Sequence, residues 1–228
     1  MTVLDILSLV WFAGTLGLFE IALRIERLAA RSLTASVQEQ RRRWIANMAK
    51  REQRQYDAIL MSNLTQSLAF FASTSVLGIG GLAAILGYGD QAQQLLEQIP
   101  YVARATPAVW EIKILFLMGI LIYAFFKFAW AFRLSHYTVI TFGAMPASDH
   151  PDTLERARYV EQIADLLGLV GDHANAGLRS FYYAFAAIAW FFHPLLFIAS
   201  ATLVTLVLLR REFLSRASRI LRKVHAPG

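Results

Sequence analysis

Residues 64–86 read LTQSLAFFASTSVLGIGGLAAIL, twenty-three consecutive positions without an ionisable side chain. About 20 helical residues cross the ~30 Å hydrocarbon core of a bilayer, so this run has the length and apolarity of a transmembrane helix. Lipid offers the backbone no hydrogen-bond partners, and a helix satisfies its own. Outward from this run, three further stretches meet the same test: Ile6–Leu23, Ile112–Phe132 and Phe181–Leu209. The last is longer than needed and contains His193-Pro194, where a missing backbone N–H and a fixed φ predict a kink or a steep tilt. It is read as one span. The expected fold class is all-α, a polytopic integral membrane helical bundle with about four transmembrane helices plus cytoplasmic or interfacial amphipathic helices.

Charge sets the expected orientation. Residues 24–60 carry Arg24, Arg27, Arg31, Arg41, Arg42, Arg43, Lys50, Arg51 and Arg54 against four carboxylates. The positive-inside rule makes this segment cytoplasmic. The N-terminus is then outside, as is the Gly87–Glu111 loop, in which Arg104 is the one basic residue. The 133–179 connection returns to the cytoplasm. A simple fourth span places the tail, 210–228, outside, although it holds Arg210, Arg211, Arg216, Arg219, Arg222 and Lys223. Either the early charges dominate topology or a re-entrant turn lies at His193-Pro194. The first resolution is the expectation. Residues Met1 to Asp5 lack the basic region of a secretory signal, so the first apolar run is expected to remain as a span, in the bacterial inner (cytoplasmic) membrane.

The connections also read as helical. Ser36 and Glu39 fit a capping box, with Val37, Trp44, Ile45, Met48 and Ile59 at near-helical spacing opposite the arginines. A second helix is expected from Ser148 or Asp149, with Val160, Ile163, Ala164 and Leu167 on one face and an end at Gly168 and Gly171.

Composition narrows the function. The chain of 228 residues is 57% hydrophobic and 17% charged, apolar-rich beside an average soluble domain. No Pro/Ser-rich or single-sign charged linker divides it, so one membrane domain, 1–228, is expected. The net charge of +6 lies beside the apolar segments rather than in a separate module. That placement points to the lipid bilayer, with anionic lipids as candidate partners, and not to nucleic acid. Cysteine is absent, which removes thiolate catalysis and thiolate metal sites. Asp149-His150-Pro151-Asp152 and Asp172-His173 lack a recognised ligand spacing, and Gly78-Ile79-Gly80-Gly81 lies inside a span and follows no strand. No enzyme activity, cofactor or metal is expected.

Three constellations remain. The second span carries small residues on several turns, with Asn63, Gln66, Ser67, Ser73, Thr74 and Gly80 on a stripe suited to close helix packing or to lining a pore. It is expected near the bundle centre or the axis of an oligomer. Glu20 and Lys127 lie within or beside spans, where a charge is costly; Lys127 is expected to snorkel to the interface, with a candidate intramembrane Glu20–Lys127 pair as the alternative. Lys113 reads as an interface anchor. Arg133 and His136, three apart on one helix, and Arg179 at the start of the last span form a candidate site for an anion or lipid headgroup. His193 and Pro194 mark the candidate kink.

Several short patterns stand in order around the spans: Arg43-Trp44-Ile45, the small-residue run Asn63 to Ala84, Arg133-x-x-His136-Tyr137, and Gly177-Leu178-Arg179-Ser180-Phe181-Tyr182-Tyr183. In this the chain resembles the bacterial and plant membrane family known as domain of unknown function 599. The resemblance covers most of the chain and implies a four-helix membrane fold, with no activity attached. Where plant-like members have Gly-Pro in the fourth span, this chain has His193-Pro194. The expected function is a homo-oligomer forming a channel or transport path. The alternative is a non-transporting scaffold or accessory subunit that binds lipids or other membrane proteins.

Overall fold

The computed structural model describes residues 1–88, 106–149 and 153–223. The 87–111 loop from Gly89 to Ala105, including Arg104, residues His150 to Asp152, and the tail beyond Lys223 lie outside the described residues. The described chain forms helices α1 (Val3–Arg24), α2 (Glu26–Ala29), α3 (Leu33–Met48), α4 (Gln55–Gly87), α5 (Pro107–Ala144), α6 (Thr153–Phe192), α7 (Pro194–Leu214) and α8 (Arg216–Lys223). The fold class is all-α, as expected from the sequence. Among the described residues, four stretches are long and apolar enough to cross a membrane: Val3–Arg24, Gln55–Gly87, Pro107–Ala144 and Pro194–Leu221.

The fourth differs from the expected 181–209 span, and the difference reorganises the molecule. Residues 181–192 belong to α6, and His193 leaves the helix with φ −160° and ψ 140°. Pro194 then opens α7 at a first-turn position, where its missing N–H does no harm. The chain reverses rather than kinks. Ser200 Oγ donates to the Ala186 carbonyl at 3.0 Å, Tyr183 and Thr205 hydroxyls meet at 2.8 Å, and Arg211 Nη1 donates to Tyr182 at 3.2 Å. These pairings run antiparallel. The Thr205 proton goes to Ala201, so Tyr183 is the donor in its pair.

The reversal carries α7 and α8 back to the basic segment. Glu212 Oε1 accepts from the Thr34 backbone N–H at 2.9 Å, and Ser218 Oγ lies 3.4 Å from the Arg31 carbonyl. The start of the tail therefore shares an end of the bundle with residues 24–60, contrary to the expectation that it lies opposite. The charge conflict disappears, because Arg210, Arg211, Arg216 and Arg219 join the other arginines. Together they make this the basic end of the bundle.

Side by side the helices run in the order α4, α5, α6, α7 and α1, with α3 laid across α6 at the basic end. The first core cluster joins Phe12, Tyr183, Trp190 and Phe197, and the second joins Phe71, Phe128 and Phe181. Between apolar helices in lipid no water is expelled, so such contacts hold through dispersion and close fit. Gly177 shows how close the fit is: a Cβ there would stand 2.6 Å from the Phe128 ring.

A third cluster, Ile45, Met48, Met61, Met145, Ile163 and Leu167, fixes α3 at the basic end. Ser32, in extended backbone, caps α3 by accepting from the Ala35 N–H, so the cap falls one turn before the Ser36 expected from sequence. Ser36 lies inside the helix and donates to the Ser32 carbonyl. Gly168 and Gly171 do not end α6. They are the positions where Gln38 and the Arg41 guanidinium press against its backbone.

Candidate functional site

Two charged clusters sit at opposite ends of the groove between α1, α5 and α6. At the end away from the arginines, Thr2 and Asp5 form a reciprocal capping box for α1. Asp5 Oδ1 also accepts from Trp190 Nε1 at 2.9 Å. Pro194 cannot donate the usual i to i−4 bond to the Trp190 carbonyl, and Lys113 Nζ supplies it at 2.8 Å while lying 5.4 Å from the Trp190 ring centre. Lys113 is 3% exposed and Asp5 5%. Lys113 is thus not the expected interface anchor but the cap of the helix that the reversal interrupts. Its ammonium is also well placed for the helix dipole, which favours cations at a C-terminus.

From this sealed end a cavity of about 820 Å³ extends toward the basic end, bounded by α1, α5 and α6. Its apex is aromatic: Phe12 stands edge-on to Phe116 at 5.3 Å and to Tyr183 at 5.5 Å. Leu16, Ile120 and Gly119 line the middle, and a Cβ on Gly119 would meet nothing within 4 Å. Glu20, Arg24, Lys127, Asp172, His173 and Arg179 gather toward the basic end. A volume of this size falls within the range of small-molecule sites, roughly 300–1,000 Å³.

Arg179 organises the charged rim. Its Nη2 donates to Glu20 Oε1 at 3.2 Å, and its guanidinium lies 5.3 Å from the Phe19 ring centre. The sequence pairs Glu20 with Lys127, whereas α1 runs antiparallel to α6 and brings Glu20 to Arg179. Lys127 lines the same cavity with its ammonium 5.2 Å from the Tyr123 ring centre. The expected trio of Arg133, His136 and Arg179 is not assembled. Arg133 Nε donates to Tyr137 at 3.0 Å and His136 Nδ1 lies 2.9 Å from the Phe132 carbonyl, both on the exposed side of α5.

The stripe on α4 is likewise placed differently. The helix is peripheral, packed on α5 along one face. Asn63, Gln66, Ser67, Ser73, Thr74 and Gly80 are all exposed. Ser67 and Thr74 donate to carbonyls one turn back, and Gly80 has no neighbour within 4 Å of a Cβ position. Of the α4 glycines, Gly78 is the one in close contact, against Leu121.

Polar groups that the sequence did not single out include Asp57, fully buried at the basic end, which accepts from Trp44 Nε1 at 2.7 Å and Arg51 Nη1 at 2.8 Å. Arg54 donates to the carbonyls of Met145 and Pro146 and so closes α5. Arg41 projects into a smaller crevice of about 180 Å³ with Thr65, Ser135 and Thr138 on its wall. Burial pushes the Arg41 guanidinium below its ordinary pKa, and the charge of Asp172 opposes that shift. A sequence signal existed for Lys113 alone: a proline inside an apolar run predicts an orphan carbonyl four residues back.

Comparison with curated proteins and with solved structures yields no match. A family model described as "Protein of unknown function, DUF599" matches residues 7–217, and the chain belongs to that family.

Proposed function

We propose that this membrane protein binds an amphiphile in the cavity between α1, α5 and α6, without transporting it and without catalysis. One observation carries the reading: a cavity of about 820 Å³ whose wall passes from an aromatic apex to a charged rim along the helix axes. That gradient matches a molecule with an apolar tail and a polar head, lying parallel to the bilayer lipids. The depth fits too, since an apolar middle and a charged rim at one end mirror hydrocarbon and headgroup layers. The protein is read in the inner membrane with its basic end in the cytoplasm and its N-terminus outside. The gathering of the tail arginines beside residues 24–60 supports this orientation.

A lipid carrying a photoactivatable diazirine in its acyl chain tests the reading in the purified protein. Labelling of peptides containing Leu16, Ile120 or Tyr183 is expected, and Gly119→Phe, placed where a side chain has space, should abolish it. Labelling confined to the outer face of α4 and indifferent to Gly119→Phe would reject the cavity as a binding site.

A second reading keeps the homo-oligomeric channel. It is favoured by the outward Asn63 and Gln66 on α4, together with the unoccupied face at Gly80 and Gly81. It calls for a defined oligomer in detergent, crosslinks between Gln66→Cys copies, and ion flux in liposomes. A monomer without flux removes it.

A further inference from the structure

Resting on the reading of the cavity as an amphiphile site, we infer that its ligand has an anionic headgroup, and that Glu20 holds the headgroup's place on Arg179 until the ligand arrives. The two partners of this ion pair are unequally fixed: the Arg179 side chain is 18% exposed and that of Glu20 53%. Arg179 is set on α6 with its guanidinium against the Phe19 ring, whereas the Glu20 carboxylate projects into the solvent-facing rim. Exposed ion pairs contribute little, so exchange of one carboxylate for another acidic group costs little.

A guanidinium has five donors in a planar fork, and one of them is used at 3.2 Å by Glu20. A carboxylate or phosphate head can take two in parallel, a geometry that a single side-chain oxygen does not exploit here. Lys127 and Arg24 line the same rim and add charge of the same sign. Glu20 and Asp172 oppose it, so three basic side chains, Arg24, Lys127 and Arg179, face two acidic ones on the rim. When an anionic head displaces Glu20, Arg179 keeps an anionic partner and α1 loses its ion pair to α6 at this end of the groove. Glu20 therefore acts both as a stand-in ligand and as a latch across the cavity mouth.

The test uses the full-length protein in detergent and native mass spectrometry with three probes: oleate, dioleoyl phosphatidylglycerol and dioleoyl phosphatidylcholine. The wild type should prefer the two anionic probes to phosphatidylcholine. Glu20→Gln should tighten their binding by up to about fivefold, as release of an exposed ion pair allows, and Arg179→Gln should weaken it by about tenfold or more, as expected for a hydrogen bond to a charged group. Phosphatidylcholine should respond to neither. Arg179→Lys, which keeps charge but not the fork, should fall between. Tighter binding of oleate than of phosphatidylglycerol would assign a carboxylate head, and the reverse order a phosphodiester. Equal binding of all three probes, unchanged in both variants but lost in Gly119→Phe, would overturn the anionic head while leaving the cavity a site. Binding that Gly119→Phe does not alter would overturn both.

Discussion

At one end of the α1–α5–α6 groove a carboxylate, an ammonium and an indole are sealed together, with Asp5 bonded to Trp190 and Lys113 to the Trp190 carbonyl. At the other end Glu20, Lys127 and Arg179 face an open cavity beside Phe19 and Tyr123. Both clusters set a carboxylate and a cation beside aromatic rings, and the difference is exposure and what each charge has to satisfy. The first cluster fills a vacancy that Pro194 creates in the backbone ladder, so its charges are consumed by structure. The second satisfies no backbone group and keeps donors to spare. Charge in an apolar bundle thus divides into groups that repair the fold and groups available to a ligand, and mutation should separate the two.

The largest effect is expected from Lys113→Met, which orphans the Trp190 carbonyl and removes the cation beside Asp5. It should lower stability by about 3 kcal/mol, read as the midpoint of unfolding in mixed micelles. Next comes Gly177→Ala, where the new methyl meets the Phe128 ring and overpacking should cost about 1–3 kcal/mol in the same assay. Tyr183→Phe, which deletes the hydroxyl bonded to Thr205 between α6 and α7, should cost about 1 kcal/mol. Arg179→Gln should be milder still, below about 1 kcal/mol, because its partner is half-exposed. A loss from Arg179→Gln as large as that from Lys113→Met would erase the distinction between the two ends. Gly80→Ala, on the open face of α4, should change monomer stability least, by no more than the roughly 1 kcal/mol gain in helix propensity.

Most of the fold was legible in the amino-acid sequence, because an uncharged run such as 64–86 or an apolar stretch such as 112–132 has one stable form in lipid. The reversal at His193-Pro194 was not. A proline in a long apolar run reads equally as a kink or a turn, and only the misplaced arginines of the tail argued for the turn. Arg179, Glu20 and Lys127 were each recognisable, since an ionisable group in a span calls for a reason. Their pairing was hidden because it depends on which helices become neighbours. Small residues on α4 marked a surface permitting close approach, but the hydrophobicity of that run is uniform and leaves open which face meets the bundle. Lys113 was misjudged because its partner is a main-chain carbonyl seventy-seven positions away.

An amphiphile held in the open end of this groove would be visible directly. The most direct measurement is a cryo-electron microscopy map of the protein, enlarged with a rigid antibody fragment, in nanodiscs containing phosphatidylglycerol. Tube-like density is expected between α1, α5 and α6, its head within hydrogen-bond distance of Arg179 and Glu20 turned away. A groove collapsed onto itself, with α1 against α5 along its whole length and Glu20 still on Arg179, would contradict it.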